Sequence, residues 1–216
     1  MNVIDFSSSA LLEIDIQNDF CPGGALAVNR GDEVIDILNR LARLFAARGG
    51  RVAATQDWHT ENHISFASSH PGRSPGDSVD LPCVKGQILW PDHCVQDSAG
   101  ADFHKDLDLK PVNLIIRKGF RPDLDSYSAF FENDRKTETG LKGFFKGLSV
   151  DTVFIGGLAT DYCVFYSAMD AAKAGFKTFV IEDAVRGVGF PEGSVERALE
   201  TLKNMGITLI NSGEIV

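Results

Sequence analysis

Apolar residues along the chain fall into short runs that alternate with amphipathic stretches. The runs at 10–16, 51–56, 112–117, 152–156, 177–181 and 208–210 are rich in Val, Ile, Leu, Ala and Phe and predict six β-strands. Between the first two, Val34, Ile35, Leu38, Leu41, Ala42 and Phe45 recur at helical spacing and predict a helix over 32–48. Further helices are predicted over 137–146, 159–174 and 191–205, the last with Pro191 in its first turn and Gly206 just past its end. Strands alternating with helices specify an α/β fold. Right-handed crossovers place six such strands in one open parallel sheet with helices on both faces, a Rossmann-like three-layer sandwich.

The stretch 57–111 breaks the alternation. It shows no convincing strand or long helix and is rich in Gly, Pro, Ser, His and Asp. Connections of this length in a compact domain are functional or disordered. A linker between two domains is the alternative, but Trp58, Phe66, Trp90 and Phe103 are residues a solvated linker has little reason to carry. The expectation is a single domain over 1–216 with one long functional loop.

Composition narrows the class. A chain of 216 residues with 44% hydrophobic and 24% charged positions is an ordinary globular protein. The net charge of -9 argues against a nucleic-acid surface. No stretch approaches the roughly 20 apolar residues of a membrane span, and no signal-peptide pattern opens the chain, so a cytoplasmic location without a membrane partner is expected. Cys21, Cys83, Cys94 and Cys163 are scattered without a C-x-x-C pair. Two disulfides are the less favoured reading in that compartment, and the first three are expected to be free and mostly buried.

Chemistry concentrates at strand ends. Asp15, Lys118 and Cys163 each stand at or just beyond the end of a separate apolar run. A parallel sheet gathers such ends on one edge, so an acid, an amine and a thiol can meet there. Such a setting can hold a thiol as thiolate near neutral pH. Asp15 would move the thiol proton and Lys118 would lower the thiol's pKa. The strand-to-helix turn before Cys163 leaves backbone N–H groups unpaired, which suits an oxyanion. The bland alternative has a buried cysteine, a capping Asp15 and a solvated Lys118.

All five histidines lie in the long loop. Asp57 and His59 follow the second strand on the same side of an extended backbone, and His93 comes later. One carboxylate and two imidazoles suit a divalent transition metal such as zinc, manganese or iron. His63 is either a further ligand or a residue orienting the others, with the second preferred. His70 and His104 read as surface or packing residues.

Five segments together resemble the nicotinamidases, a group within the isochorismatase-like hydrolases. They are 12–28 (LEIDIQNDFCPGGALAV), 56–59 (QDWH), 90–95 (WPDHCV), 116–119 (IRKG) and 157–164 (GLATDYCV). The resemblance implies a six-stranded parallel sheet with helices on both faces and hydrolysis of nicotinamide to nicotinate and ammonia in pyridine-nucleotide salvage, with pyrazinamide as a further substrate. By position it implies Asp15, Lys118 and Cys163 as catalytic residues and Asp57, His59 and His93 as ligands of one divalent metal, zinc foremost, with iron or manganese as alternatives. It also implies oxyanion donors at the N–H groups of Ala159 and Cys163 and a cis peptide at Leu158-Ala159. Phe20, Trp90, Tyr162 and, more weakly, Tyr127 would wall the ring pocket. A homo-oligomer stays open.

The nearest rival is an amidohydrolase of the same superfamily acting on N-carbamoyl or ureido substrates, many of which lack the metal set. Cys163 argues against a vinyl-ether hydrolase, and the complete trio argues against a binding module that has lost its chemistry. No G-x-G-x-x-G follows the first strand, which argues against a dinucleotide-binding dehydrogenase.

Overall fold

A computed structural model describes residues 4–216. Six strands form one parallel sheet: β1 (Ser9–Ile14), β2 (Arg51–Asp57), β5 (Leu114–Lys118), β6 (Thr152–Leu158), β7 (Lys177–Arg186) and β8 (Thr208–Ile210). Their spatial order is β5-β2-β1-β6-β7-β8. β1 is central and buried at all six positions, which is why it reads as an unbroken apolar run. Leu11 faces a core shared with α1 (Val34–Ala47), while Leu12 and Ile14 face a second core. That second core contains Leu141 and Phe145 of α2 (Leu141–Gly147), Ala168 and Ala171 of α3 (Phe165–Lys173) and Leu202 of α4 (Ser194–Asn204). Helices therefore cover both faces.

Several boundaries differ from the sequence expectation. β1 stops at Ile14, because Asp15 takes a left-handed conformation (φ 49°). β7 runs on to Arg186 beside the far end of β6. Helices α2 and α4 start later than their apolar spacing suggests, and in both a left-handed glycine, Gly140 or Gly193, precedes the first turn. Pro191 thus lies outside α4, whereas Gly206 (φ 81°) does follow its end.

The 57–111 stretch carries a two-residue ribbon, β3 (Ser78–Val79) against β4 (Gln87–Ile88), and a one-turn helix at Ala67–Ser69. It folds over the C-terminal ends of the strands through backbone pairs such as His59 N–H to Cys94 O (2.9 Å) and Trp90 N–H to Ser65 O (2.8 Å). Strand order runs outward from β1 in one direction and from β6 in the other. The crevice at the carboxyl ends of that pair is where such sheets place ligands. Among the described residues no helix is long and apolar enough to cross a membrane.

Candidate active site

The turn at Asp15 is secured from β2. Its N–H donates to Thr55 Oγ1 (3.1 Å), and the Thr55 hydroxyl donates back to Asp15 Oδ1 (2.5 Å). The other carboxylate oxygen lies 2.8 Å from the ammonium of Lys118, the last residue of β5. Lys118 is fully buried, which removes the reading of a solvated lysine. Its Nζ also reaches Asp57 Oδ1 (2.7 Å), Ser126 O (3.1 Å) and Cys163 Sγ (3.4 Å). An ammonium has three N–H bonds, and all four neighbours are protein atoms, so no share is left for solvent.

Cys163 sits in a single π-helical turn, Thr160–Val164, that joins β6 to α3, where the sequence predicts ordinary α-helix. Tyr162 and Val164 both donate backbone N–H groups to the carbonyl of Ala159 (3.1 Å each). The widened turn swings Cys163 over the strand ends, where its sulfur and one oxygen each of Asp15 and Asp57 lie within 4.8 Å of one another. Leu158-Ala159 is cis, as the resemblance implies.

Burial governs the ionisation of this cluster. It pushes the Cys163 thiol well above its ordinary range; Lys118 pulls the other way, and Asp15 and Asp57 add to the rise. Burial thus opposes the thiolate expected from the sequence, and Lys118 favours it. Burial likewise raises Asp15 against the pull of Lys118, making it a stronger base than a solvated carboxylate. Against the same burial, Asp15 and Asp57 hold Lys118 well above its usual value, so it stays charged.

Asp57 faces two ways. While Oδ1 meets Lys118, Oδ2 lies 3.3 Å from His59 Nε2 and 3.7 Å from His93 Nε2. The other ring nitrogens face carbonyls, His59 Nδ1 at Gly119 O (2.9 Å) and His93 Nδ1 at Pro91 O (2.8 Å). A carbonyl only accepts, so each Nδ1 carries the proton and each Nε2 presents a lone pair toward Asp57. These three buried groups fit one divalent cation. Gly119 permits the approach, since a Cβ there would stand 2.5 Å from the His59 ring.

His63 has both nitrogens occupied, Nε2 facing Leu124 O (3.4 Å) and Nδ1 accepting from the Ser65 hydroxyl (2.8 Å). Burial pushes its pKa down to about 4. It packs against His59 with ring centroids 4.2 Å apart, which suits support and not ligation. His70 bonds Ile64 O (2.8 Å), and His104 pairs with exposed Asp106, both away from the cluster.

Phe20, Trp90, Tyr127 and Tyr162 wall a pocket that opens onto Cys163, Ala159, Asp57, His59 and His93. Trp90 and Tyr162 meet edge to face (4.8 Å, 88°), and Phe20 contacts the His93 ring (5.5 Å). Tyr127 is held by N–H donors from Trp90 (3.0 Å) and Gln87 (2.9 Å) on its hydroxyl. Asp15 and Lys118 lie beneath this floor, with no exposure.

A family model described as the isochorismatase domain matches residues 9–214. The chain belongs to the isochorismatase family. A nicotinamidase of Acinetobacter baylyi is 46% identical over 210 residues, covering 97% of this chain and 95% of the relative. Among solved structures, a nicotinamidase and pyrazinamidase of Acinetobacter baumanii superposes with TM-score 0.93 at 48% identity, covering 97% of this chain and 99% of that one. The Pyrococcus horikoshii pyrazinamidase in complex with zinc superposes with TM-score 0.76 at 38% identity, covering 94% and 99%.

Within this isochorismatase-family chain, every residue singled out from sequence for the trio, the metal set and the aromatic wall meets at one place. Sequence reasoning missed Thr55, which orients Asp15, and Leu26, Asp125 and Val188, which also line the pocket. It also missed Gln17, whose amide donates to Asp57 O and accepts from Asp57 N–H (2.8 Å each). Only Gln17 had a local signal, two residues after Asp15. Cys21 and Cys94 are free and buried as expected, but Cys83 is exposed, because it lies on the β3–β4 ribbon's loop.

Proposed function

We propose that this protein hydrolyses nicotinamide to nicotinate and ammonia through a Cys163 thioester, as a metal-dependent nicotinamidase of pyridine-nucleotide salvage that also deamidates pyrazinamide. One observation carries the reading: the Lys118 ammonium contacts Asp15, Asp57 and Cys163 beneath an aromatic-walled pocket that Asp57 and Cys163 line. The nicotinamidase and pyrazinamidase relatives support the choice of substrate.

In this mechanism Asp15 takes the thiol proton as Cys163 attacks the carboxamide carbon. The N–H groups of Ala159 and Cys163 stabilise the oxyanion, each donor being worth about 3 kcal/mol in comparable sites. Asp15 then passes the proton to the departing nitrogen, which leaves as ammonia. It next takes a proton from water, which cleaves the thioester, releases nicotinate and restores the thiol. Lys118 keeps its charge throughout and stabilises Asp15 whenever that group is ionised.

Asp57, His59 and His93 would hold the cation, with zinc favoured by the donor set and by the zinc-bound pyrazinamidase relative. When bound it would supply a Lewis-acidic point for the pyridine nitrogen and so a fixed orientation for the ring. Phe20, Trp90, Tyr127 and Tyr162 supply the flat apolar walls. The test is to incubate purified protein with nicotinamide and assay ammonia and nicotinate. Stoichiometric release of both is expected, and no release with the metal site loaded would overturn the reading.

A further inference from the structure

The two residues in front of Cys163 hold a distant part of the chain. The Asp161 carboxylate accepts from the N–H groups of Val188 and Gly189 (2.9 Å each) and from the Ser194 hydroxyl (2.5 Å). The Tyr162 hydroxyl donates to Phe190 O (2.6 Å). The link from β7 to α4 is thus tied at three points to the turn that carries the thiol, and the first residue of α4 adds a fourth. Bonds to an ionised acceptor are roughly twice as strong as neutral ones, so Asp161 is the main anchor.

The same link touches the other side of the site. The Val188 side chain lines the pocket. Two residues on, the half-exposed Phe190 ring lies against Gly76, where an added Cβ would stand 3.0 Å from the ring. Gly76 belongs to the long loop that also supplies Trp90 and His93, and its N–H donates to Leu89 O (2.8 Å). Residues 188–190 therefore run from the nucleophile's turn to the metal-bearing loop, with one side chain in the pocket and the next on the far rim.

We propose that residues 188–190 form a strap closing the pocket over its ligand, with Asp161 the positioning residue that latches it and Phe190 its outer contact. The proposal rests on the reading of this pocket as the nicotinamide site. Asp161 touches neither thiol nor ligand and acts through Val188. An amide at 161 keeps one acceptor oxygen but turns an NH2 group toward donors, so the latch opens without a change of shape.

The test is the rate at which iodoacetamide alkylates Cys163, read by peptide mass mapping so that exposed Cys83 does not interfere, in wild type, D161N and F190A across a range of pH. An open strap raises the rate about tenfold at every pH in both variants, as expected when a closing segment is released. It also raises the KM for nicotinamide with kcat nearly unchanged. F190A removes no charge and only a half-exposed ring, so it carries the test alone should D161N fail to fold. Wild-type alkylation rates in F190A, or an increase seen only as a shifted pH midpoint, would overturn the strap. Alkylation needs no turnover: if wild type released no ammonia from nicotinamide, the substrate reading would fall and the strap would still be decided.

Discussion

Lys118 and Asp57 pair at 2.7 Å through the carboxylate oxygen that the two imidazoles do not face. One residue of the metal set is thereby also a neighbour of the trio. Lys118 holds the Asp57 carboxyl far below its usual range despite its burial, so it is ionised for both tasks. D57N is expected to cost more than a histidine variant, since it leaves a buried ammonium short of a partner as well as the cation short of a ligand. The check is metal content by elemental analysis together with kcat. Loss of metal with kcat no lower than in H93A would mean that the pairing with Lys118 has no catalytic weight.

Replacing either imidazole isolates the cation. H59A and H93A should bind at least about tenfold less metal and show a raised KM for nicotinamide, in line with loss of a ligand. Unchanged metal content in either variant would remove that residue from the set.

Cys163→Ala deletes the sulfur from a site already packed around it. Ammonia release from nicotinamide should fall by about 10⁴-fold or more, with the thermal midpoint nearly unmoved. Retained turnover would rule out the thioester route.

Thr55 is a subtler case. Its hydroxyl bridges the N–H and the carboxylate of Asp15, and T55V keeps the shape while removing both bonds. The expected result is about a tenfold fall in kcat with KM little changed, because a base displaced by a fraction of an ångström still leaves the pocket intact. A rise in KM alone would show that Thr55 serves the ring and not the base.

Glu13 offers a prediction about stability. It lies mid-β1 between Ala54 of β2 and Gly156 of β6, and neither carboxylate oxygen has a hydrogen-bond partner among the described residues. Burial raises its pKa from 4.5 to about 8, with Asp108 adding to the rise. The native state keeps a proton that the unfolded chain gives up near pH 4.5. The contribution is therefore fully present below that pH and is lost as pH rises toward 8. Urea unfolding of wild type and E13Q should show wild type losing up to about 1.4 kcal/mol per pH unit relative to the variant across that window. Parallel pH profiles would clear Glu13 of the effect.

How much of this is legible in the sequence follows from where each signal resides. Asp57 and His59 are two residues apart, and the turn 159–163 is contiguous, so local pattern and strand ends were enough to gather them. Leu26 and Val188 act by packing and Thr55 by hydrogen bonds across elements, and although Leu26 falls within the 12–28 segment, no local pattern marks any of the three as part of the site. Pro191 misled because a favourable first-turn residue was outweighed by left-handed Gly193 two positions later. The upward push of burial on the Cys163 thiol was missed because charge neighbours can be read from sequence while the depth of burial cannot.

In edge strand β5, Leu114 to Arg117 are partly or largely exposed, and the one buried residue is the charged Lys118, opposite Asp57 in the ladder. A slip of one residue would turn Lys118 to the other face and strip the buried carboxylates of Asp15 and Asp57 of their ammonium partner. Apolar contact alone discriminates weakly between registers in a strand so exposed. The ion cluster therefore works as a key that only the correctly threaded strand can turn.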